Sequence, residues 1–200
     1  MAIEVEPDTR PQAWLVRHGE TAWSKSGQHT GTTDVPLTDA GREQARRLRR
    51  KLGPRTFALV LSSPMSRALD TARLAGFGDR VDVDPELHEW NYGRYEGLTT
   101  PEIRKTVPGW SVWTHPIPGG ETAGEVAARV DRVIARVRGA QGDAAVFAHG
   151  HVLRVFAARW LGLPPTDGRL LALGTATVSV LGWERETAVV ERWNEPAAEG

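Results

Sequence analysis

Short apolar runs alternate along the chain with amphipathic stretches of helical period, and this pattern predicts an α/β fold. Residues 13–16, 57–61 and 144–148 are apolar runs bounded by polar or glycine-containing segments, which is typical of short buried strands. Three later runs predict further strands, some of them antiparallel, at residues 170–173, 177–181 and 189–193. Because strands and helices alternate, we expect a three-layer α/β/α sandwich with a mostly parallel central sheet.

The amphipathic stretches predict four main helices. They are expected after Thr38, after Pro64 and after His151, with a further one beginning near Glu121. The helix after Thr38 carries a run of arginines, which we interpret as a solvated face because helical spacing distributes them around its outside. Residues 91–120 are rich in glycine, proline and aromatic residues, and predict a short irregular cap within a single domain of residues 1–200.

Composition excludes several classes of protein. The 25 basic and 25 acidic residues give zero formal charge, so nothing indicates a nucleic-acid partner or an anionic membrane surface. No apolar stretch approaches the ~20 residues of a membrane span, and the polar start of the chain does not resemble a secretory signal. The chain has no cysteine, which excludes disulfides and a thiol nucleophile. We therefore expect a cytoplasmic enzyme, with a homo-oligomer as an open possibility.

Two of the predicted strands end on a His-Gly pair. Arg17-His18-Gly19 follows the first strand, and His149-Gly150 follows the strand at 144–148. Open α/β sheets bind ligands beyond the carboxyl ends of their strands, so both imidazoles can reach one crevice. Arg17 is suited to hold a phosphate there, because guanidinium is permanently charged and matches phosphate geometry. A histidine facing a phosphate among cations is placed to act as a nucleophile.

These motifs resemble the histidine phosphatase superfamily, also called the phosphoglycerate-mutase-like family, along nearly the whole chain. The resemblance rests on Arg17-His18-Gly19, on residues 31–38, 62–68, 89–97 and 118–122, and on the second His-Gly pair. It implies a phosphoglycerate-mutase-like sheet and hydrolysis of phosphomonoesters through a phosphohistidine, with no metal and no cofactor. The stretches at 23–31, 89–97 and 147–154 look most like small-metabolite acid phosphatases and sedoheptulose-bisphosphatase-type members.

The resemblance also implies a catalytic set. His18 is the nucleophile, while Arg17, Arg67 and His149 form the phosphate pocket, with His149 protonated by the bound dianion. Glu89 is the acid for the leaving oxygen, because it precedes a Tyr-Gly pair by three residues, as the family's acid does. Two neighbours of Glu89, Glu86 and His88, remain alternatives for that role.

Substrate contacts are expected around this set. Ser24 stands where the family usually has asparagine, and it can still donate a hydrogen bond to phosphate. His29 and Tyr92 are candidate sugar contacts, and Arg154 lies about one helical turn beyond His149, where it can hold a second phosphate or a carboxylate. The remaining expected contacts are Thr30, Gly31 and Gly150.

Three other functions compete with a metal-independent phosphatase: a mutase, a non-catalytic binding module and a metallohydrolase. A cofactor-dependent phosphoglycerate mutase needs a more elaborate lid than the short cap here, and a non-catalytic phosphate-binding module is expected to lack part of the catalytic set. His149 and His151 also have the spacing of metal ligands. No clustered carboxylates accompany them, however, and Arg17 would repel a cation, so no metal site is predicted.

Overall fold

A six-stranded mixed sheet forms the centre of the molecule. A computed structural model describes residues 10–197, so the predicted polar segment at 1–9 lies outside the described residues. The strands are β1 (Ala13–Arg17), β2 (Leu59–Ser62), β3 (Asp82–Val83), β4 (Ala144–Ala148), β5 (Thr177–Glu184) and β6 (Thr187–Pro196). Their order across the sheet is β3-β2-β4-β1-β5-β6, and β1 to β4 run parallel while β5 and β6 are antiparallel to their neighbours.

The parallel register brings the ends of three strands to one edge of the sheet. Ala13 pairs with Ala144 in β4, and Leu59 of β2 pairs with the same residue from the other side. The His18 backbone N–H donates to the Ala148 carbonyl at 3.0 Å, and the Ser63 N–H donates to Phe147 at 2.9 Å. The residues that follow β1, β2 and β4 are therefore held side by side.

Helices cover both faces of the sheet. They are α1 (Ala22–Ser26), α2 (Asp39–Leu52), α3 (Ser66–Ala72), α4 (Thr100–Thr106), α5 (Ala123–Arg138) and α6 (Gly150–Trp160). Side chains alternate along the strands, so Leu15 and Val146 pack with α5 and α6, while Val16 and Phe147 pack with α2 and α3. The predicted α/β/α layering and the mostly parallel sheet are confirmed.

One predicted element is corrected by the structure. The predicted strand at 170–173 is wrong, because Pro165–Leu170 is a 3-10 helix and the next residues form no ladder. Carbonyls of this run instead accept hydrogen bonds from side chains, Ala172 from Trp193 and Leu173 from Arg17. The helix after Pro64 ends at Ala72, followed by a π-helical turn in which Gly76 has φ 98°.

The segment predicted as an irregular cap contains a helix. α4 begins with a capping box, in which the Thr99 side chain accepts from the Glu102 N–H and the Glu102 carboxylate accepts from the Thr99 N–H. The Gly93–Tyr95 segment forms a 3-10 turn, and the rest of the segment outside α4 is irregular. An isolated bridge between Gln28 and Thr99 joins this segment to the loop after α1.

Candidate active site

A pocket of about 160 Å³ opens beyond the carboxyl ends of β1 and β4. This volume is close to the ~150 Å³ of a cavity that holds benzene, so the site accepts a small organic group. Most of the predicted site residues line it, namely Arg17, His18, Ser24, His29, Thr30, Glu89, Tyr92, Gly150 and Arg154. His151 and Leu173 also line the pocket, and the sequence had not indicated either as a substrate contact.

The His18 imidazole has a defined proton position. Its Nδ1 lies 2.7 Å from the Gly19 carbonyl oxygen. A carbonyl only accepts, so Nδ1 carries the proton and Nε2 keeps its lone pair. Burial, followed by the guanidinium charges of Arg17 and Arg67, lowers the pKa of His18 well below its usual value. The side chain at the end of β1 is therefore neutral, with an unprotonated nitrogen.

Arg17 presents a buried N–H group without a partner. One terminal nitrogen donates to the Leu173 carbonyl, while Nε is buried and has no hydrogen-bond partner among the described residues. Burial lowers the pKa of Arg17 from its usual value, and the Glu89 carboxylate opposes this shift. A buried guanidinium N–H without a partner is costly unless an anion accepts from it. The residue is therefore suited to bind phosphate next to His18.

Arg67 and His149 form a fully buried pair and do not line the pocket themselves. Arg67 Nε donates to His149 Nδ1 at 3.1 Å, and His149 Nε2 lies 2.7 Å from the Ser63 hydroxyl. Since Nδ1 accepts, the imidazole is neutral with its proton on Nε2. Burial and then the Arg67 charge lower the pKa of His149 well below its usual value. The cationic His149 expected for a bound dianion requires Arg67 Nε–H to turn away first.

Backbone carbonyls hold the Arg67 guanidinium in place. Its terminal nitrogens donate to the carbonyls of Thr30, Gly31 and Thr33 at 3.0–3.2 Å, and the Asp34 carboxylate lies 3.9 Å away. The Gly31 N–H donates to Glu96, and a Cβ on Gly31 would come within 2.6 Å of the Trp90 carbonyl. Gly31 therefore supports Arg67 and does not itself line the pocket, and its predicted substrate contact stays a prediction.

The Glu89 carboxylate accepts three backbone hydrogen bonds. Oε1 accepts from Trp90 and Val152, and Oε2 accepts from His151, at 2.8–2.9 Å. Two of these donors belong to the first turn of α6, whose free N–H groups favour a negative charge. Glu89 lines the pocket with His18 and is only 6% exposed. This placement, in the pocket at the N-terminus of α6, suits a group that exchanges protons with a substrate.

Arg129 holds the segment that carries Glu89, and the sequence analysis did not find it. This arginine of α5 donates to the backbone carbonyls of Glu86, His88 and Glu89 at 2.6–3.2 Å. It also forms a two-pronged ion pair with the Glu121 carboxylate at 2.8 and 3.1 Å. All three residues bind Arg129 through their backbones, and Glu89 alone of the three lines the pocket.

Imidazole and phenol side chains form one wall of the pocket. Tyr92 packs on His29 with ring centroids 4.7 Å apart, and the Tyr92 hydroxyl lies 2.6 Å from His151 Nδ1. Burial lowers the pKa of His29 to about 4 and raises the pKa of Tyr92 well above its usual value. This part of the pocket therefore carries neutral, polar aromatic groups at neutral pH.

The other predicted substrate contacts, Ser24, Gly150 and Arg154, already interact with groups of the protein itself. The Ser24 hydroxyl accepts from the Thr21 N–H in the α1 capping box and donates to the Thr21 carbonyl at 3.0 Å, so its proton is not free for phosphate. Gly150 packs against Arg17, because a Cβ there would lie 3.3 Å from the guanidinium carbon. Arg154 donates to the Gly168 carbonyl and stacks over Trp113 at 4.6 Å, yet it also lines the pocket.

Residues 10–197 contain no group of three or more His, Cys, Asp or Glu side chains able to hold a metal ion. The rings of His149 and His151 have separate partners, Arg67 with Ser63 and Tyr92 respectively. Within the same residues, none of the helices has the length and apolar character needed to cross a membrane.

Comparison with known proteins places the chain in a family. A model of the histidine phosphatase superfamily (branch 1) matches residues 13–196. The chain therefore belongs to the histidine phosphatase superfamily, and the predicted family is confirmed. The predicted class of enzyme, a phosphoric monoester hydrolase, is confirmed at the level of this family.

Several relatives are similar over most of the chain. An acid phosphatase of Mycobacterium tuberculosis is 43% identical over 189 residues, covering 91% of this chain and 93% of that protein. The sedoheptulose 1,7-bisphosphatase of Saccharomyces cerevisiae is 40% identical over 190 residues, covering 78% and 70% respectively. A solved mycobacterial glucosyl-3-phosphoglycerate phosphatase in complex with VO3 has a TM-score of 0.83 at 30% identity, covering 92% of this chain and 99% of that one.

Proposed function

We propose that the protein hydrolyses small phosphomonoesters without a metal, through a phosphohistidine on His18. The observation that carries this is the Nδ1–H to Gly19 carbonyl bond, which leaves the Nε2 lone pair of a residue that lines the same pocket as Arg17, whose Nε–H is unpartnered. The substrate, bound as its monoanion, first passes its phosphate proton to the Glu89 carboxylate. Nε2 then attacks phosphorus, the bond to the leaving oxygen breaks, and Glu89 gives that oxygen the proton. Water then attacks the phosphohistidine, returns a proton to Glu89 and releases phosphate, which restores neutral His18.

The substrate class follows from the small pocket and its polar walls. The relatives are named for acid phosphatase, sedoheptulose 1,7-bisphosphatase and glucosyl-3-phosphoglycerate phosphatase activities, which supports a sugar phosphate or similar metabolite here. Arg154 at the pocket wall is suited to a second phosphate or a carboxylate of that metabolite. A cytoplasmic location and a homo-oligomer stay predictions.

Hydrolysis is favoured over the mutase alternative by the way the cap uses its cations. Arg104 Nε donates to the Trp110 carbonyl at 2.9 Å, inside the cap, and Arg94 and Lys105 are exposed. None of these three lines the pocket. Because no cation of the cap lines the pocket, the cap provides no positive charge to hold a released phosphoglycerate for a second transfer.

The intermediate provides the direct test. Brief incubation with a ³²P-labelled sugar phosphate should leave acid-labile, alkali-stable label on the protein, and turnover should survive excess EDTA and be inhibited by vanadate. His18→Ala should lose both label and turnover, whereas His115→Ala, outside the pocket, should keep them. Turnover that requires added zinc or magnesium would refute the proposal.

Isomerisation of 3-phosphoglycerate, in the presence of 2,3-bisphosphoglycerate, at ten times the rate of phosphate release would establish a mutase instead.

A further inference from the structure

Tyr92 and His151 form a hydrogen-bonded pair in the pocket wall. They come from different parts of the chain, Tyr92 from the turn before Gly93–Tyr95 and His151 from the first turn of α6. The Tyr92 hydroxyl lies 2.6 Å from His151 Nδ1, and both side chains line the pocket. Neither group takes part in the proposed phosphoryl transfer, so the pair needs a separate explanation.

The proton positions within the pair follow from its partners. The Tyr92 hydroxyl has no other hydrogen-bond partner among residues 10–197, and it is almost fully buried. If Nδ1 were the donor, the phenol proton would be left buried and unbonded, at a cost. Tyr92 O–H therefore donates to Nδ1. The neutral imidazole must then carry its proton on Nε2, and burial, with the nearby Arg154 charge, lowers the pKa of His151 and keeps it neutral.

The Nε2–H group of His151 is left free to bind a ligand. Within the described part of the chain it has no hydrogen-bond partner, and it is not fully enclosed, since the side chain is 20% exposed at the pocket. The ring is held on its other sides by Trp113, with centroids 5.2 Å apart, and by Trp90 at 6.5 Å. The donor is therefore held by packing as well as by the Tyr92 hydrogen bond.

The position of this donor relative to Glu89 indicates which part of a substrate it meets. The His151 backbone N–H donates to Glu89 Oε2 at 2.8 Å, and Nδ1 lies 3.9 Å from the same oxygen. Glu89 serves the leaving oxygen in the proposed reaction. A donor on the adjacent ring is consequently close to the atoms next to that oxygen.

We infer that His151 Nε2–H is a specificity-determining donor that binds an oxygen on the carbon skeleton next to the phosphate ester, in an orientation set by Tyr92. The inference rests on the proposed function and narrows its substrate class to phosphomonoesters of polyols or hydroxy acids. An alkyl phosphate of the same length without further oxygens leaves the donor unpaired. Such an unpaired donor discriminates more strongly than a missing methylene does.

A matched pair of substrates tests this assignment. Glycerol 3-phosphate and propyl phosphate have the same carbon number, and only the first offers hydroxyl acceptors. The asparagine amide of His151→Asn reaches the Nδ1 position and preserves the Tyr92 bond, whereas the glutamine amide of His151→Gln reaches the Nε2 position and restores a donor. The measured quantity is the ratio of kcat/KM for glycerol 3-phosphate to kcat/KM for propyl phosphate.

The ratio should fall roughly tenfold in His151→Asn, the size of one lost hydrogen bond, mainly through a higher KM for glycerol 3-phosphate. It should stay within threefold of the original in His151→Gln, and fall about threefold in Tyr92→Phe, where the imidazole loses its orienting donor. An unchanged ratio in both His151→Asn and Tyr92→Phe would overturn the inference. Should His151→Asn not fold, Tyr92→Phe and His151→Gln decide it by the same ratios. If the original protein hydrolyses neither substrate nor phenyl phosphate, the proposed function fails instead.

Discussion

His18 and His149 show how partners differentiate two histidines at equivalent strand ends. His18 Nδ1 donates to a carbonyl, so its lone pair is on Nε2, which suits attack on phosphorus. His149 Nδ1 accepts from Arg67, so its proton is on Nε2, next to Ser63. Both imidazoles are neutral because burial lowers their pKa values. Of the two rings, His18 alone is thus arranged as a nucleophile, and the fixed positive charge comes from Arg17 and Arg67.

At the residue scale, Glu89→Gln tests proton transfer. Glutamine keeps the shape of the side chain but cannot give a proton to a leaving alkoxide. Turnover of a sugar phosphate should therefore fall by roughly 10²–10⁴. Nitrophenolate leaves as a stable anion, so the pre-steady-state burst with nitrophenyl phosphate should fall much less. Equal losses for both substrates in the burst would contradict the role of Glu89, and Glu86→Gln provides the matched control on the same segment.

The sequence predicted the residues that line the pocket better than it predicted their partners. His18, Arg17 and Glu89 were found because motifs and strand ends mark them. The roles of Gly31 and His151 were missed because their partners lie far away in the chain, Gly31 with Arg67 and Glu96 and His151 with Tyr92. Hydrogen bonds over such sequence separations depend on how the loops pack, which periodicity does not encode.

At the scale of elements, the site depends on α5 as much as on the strands. β1 and α6 deliver His18 and the donors to Glu89, but the backbone of the Glu89 segment is held by Arg129 from α5. The Glu121 carboxylate completes this link, because it binds Arg129 and also accepts from the Asn91 N–H at 2.8 Å. A single buried guanidinium thus connects α5, the cap and the catalytic segment.

Replacing Arg129 should therefore cost more than replacing its exposed neighbour. Arg129→Met leaves the Glu121 carboxylate and three carbonyls without their donor, so the free energy of unfolding should fall by about 3–5 kcal/mol. Arg132 on the same helix also pairs with Glu86, but its side chain is 63% exposed. Arg132→Met should cost less than about 1 kcal/mol. Urea unfolding of both variants measures the difference, and equal losses would contradict a buried hub at Arg129.

Element boundaries were predictable where local signals were strong. The strand Ala144–Ala148 was predicted to the residue, and the local signal for α4 is the capping box of Thr99 and Glu102. The strand predicted at 170–173 was wrong because an apolar run of four residues does not by itself distinguish a strand from a loop. Leu170 is 69% exposed, while Leu173 turns inward and gives its carbonyl to Arg17. Leu173 is the one residue of this run that lines the pocket.

At the scale of the whole molecule, four neutral histidines lie together, three of them lining the pocket and His149 packed against His18. Burial is the largest cause of the lowered pKa at His18, His29, His149 and His151. Three aromatic rings from the cap and its preceding turn, those of Tyr92, Trp110 and Trp113, exclude water around His29 and His151. The fold therefore places groups that titrate near pH 6.5 in water into surroundings where they stay neutral.

This arrangement predicts that stability falls as pH is lowered. In the unfolded chain these histidines take up protons below about pH 6.5, whereas in the folded protein they stay neutral, His29 until about pH 4. The unfolded state then binds more protons, so the free energy of unfolding should decrease from pH 7 to 5. The slope approaches about 1.4 kcal/mol per pH unit for each histidine. Urea titrations at several pH values measure the slope. His29→Gln should reduce the slope by the share of one histidine, about 1.4 kcal/mol per pH unit. A free energy of unfolding independent of pH over this range would show that these imidazoles are not held neutral by burial.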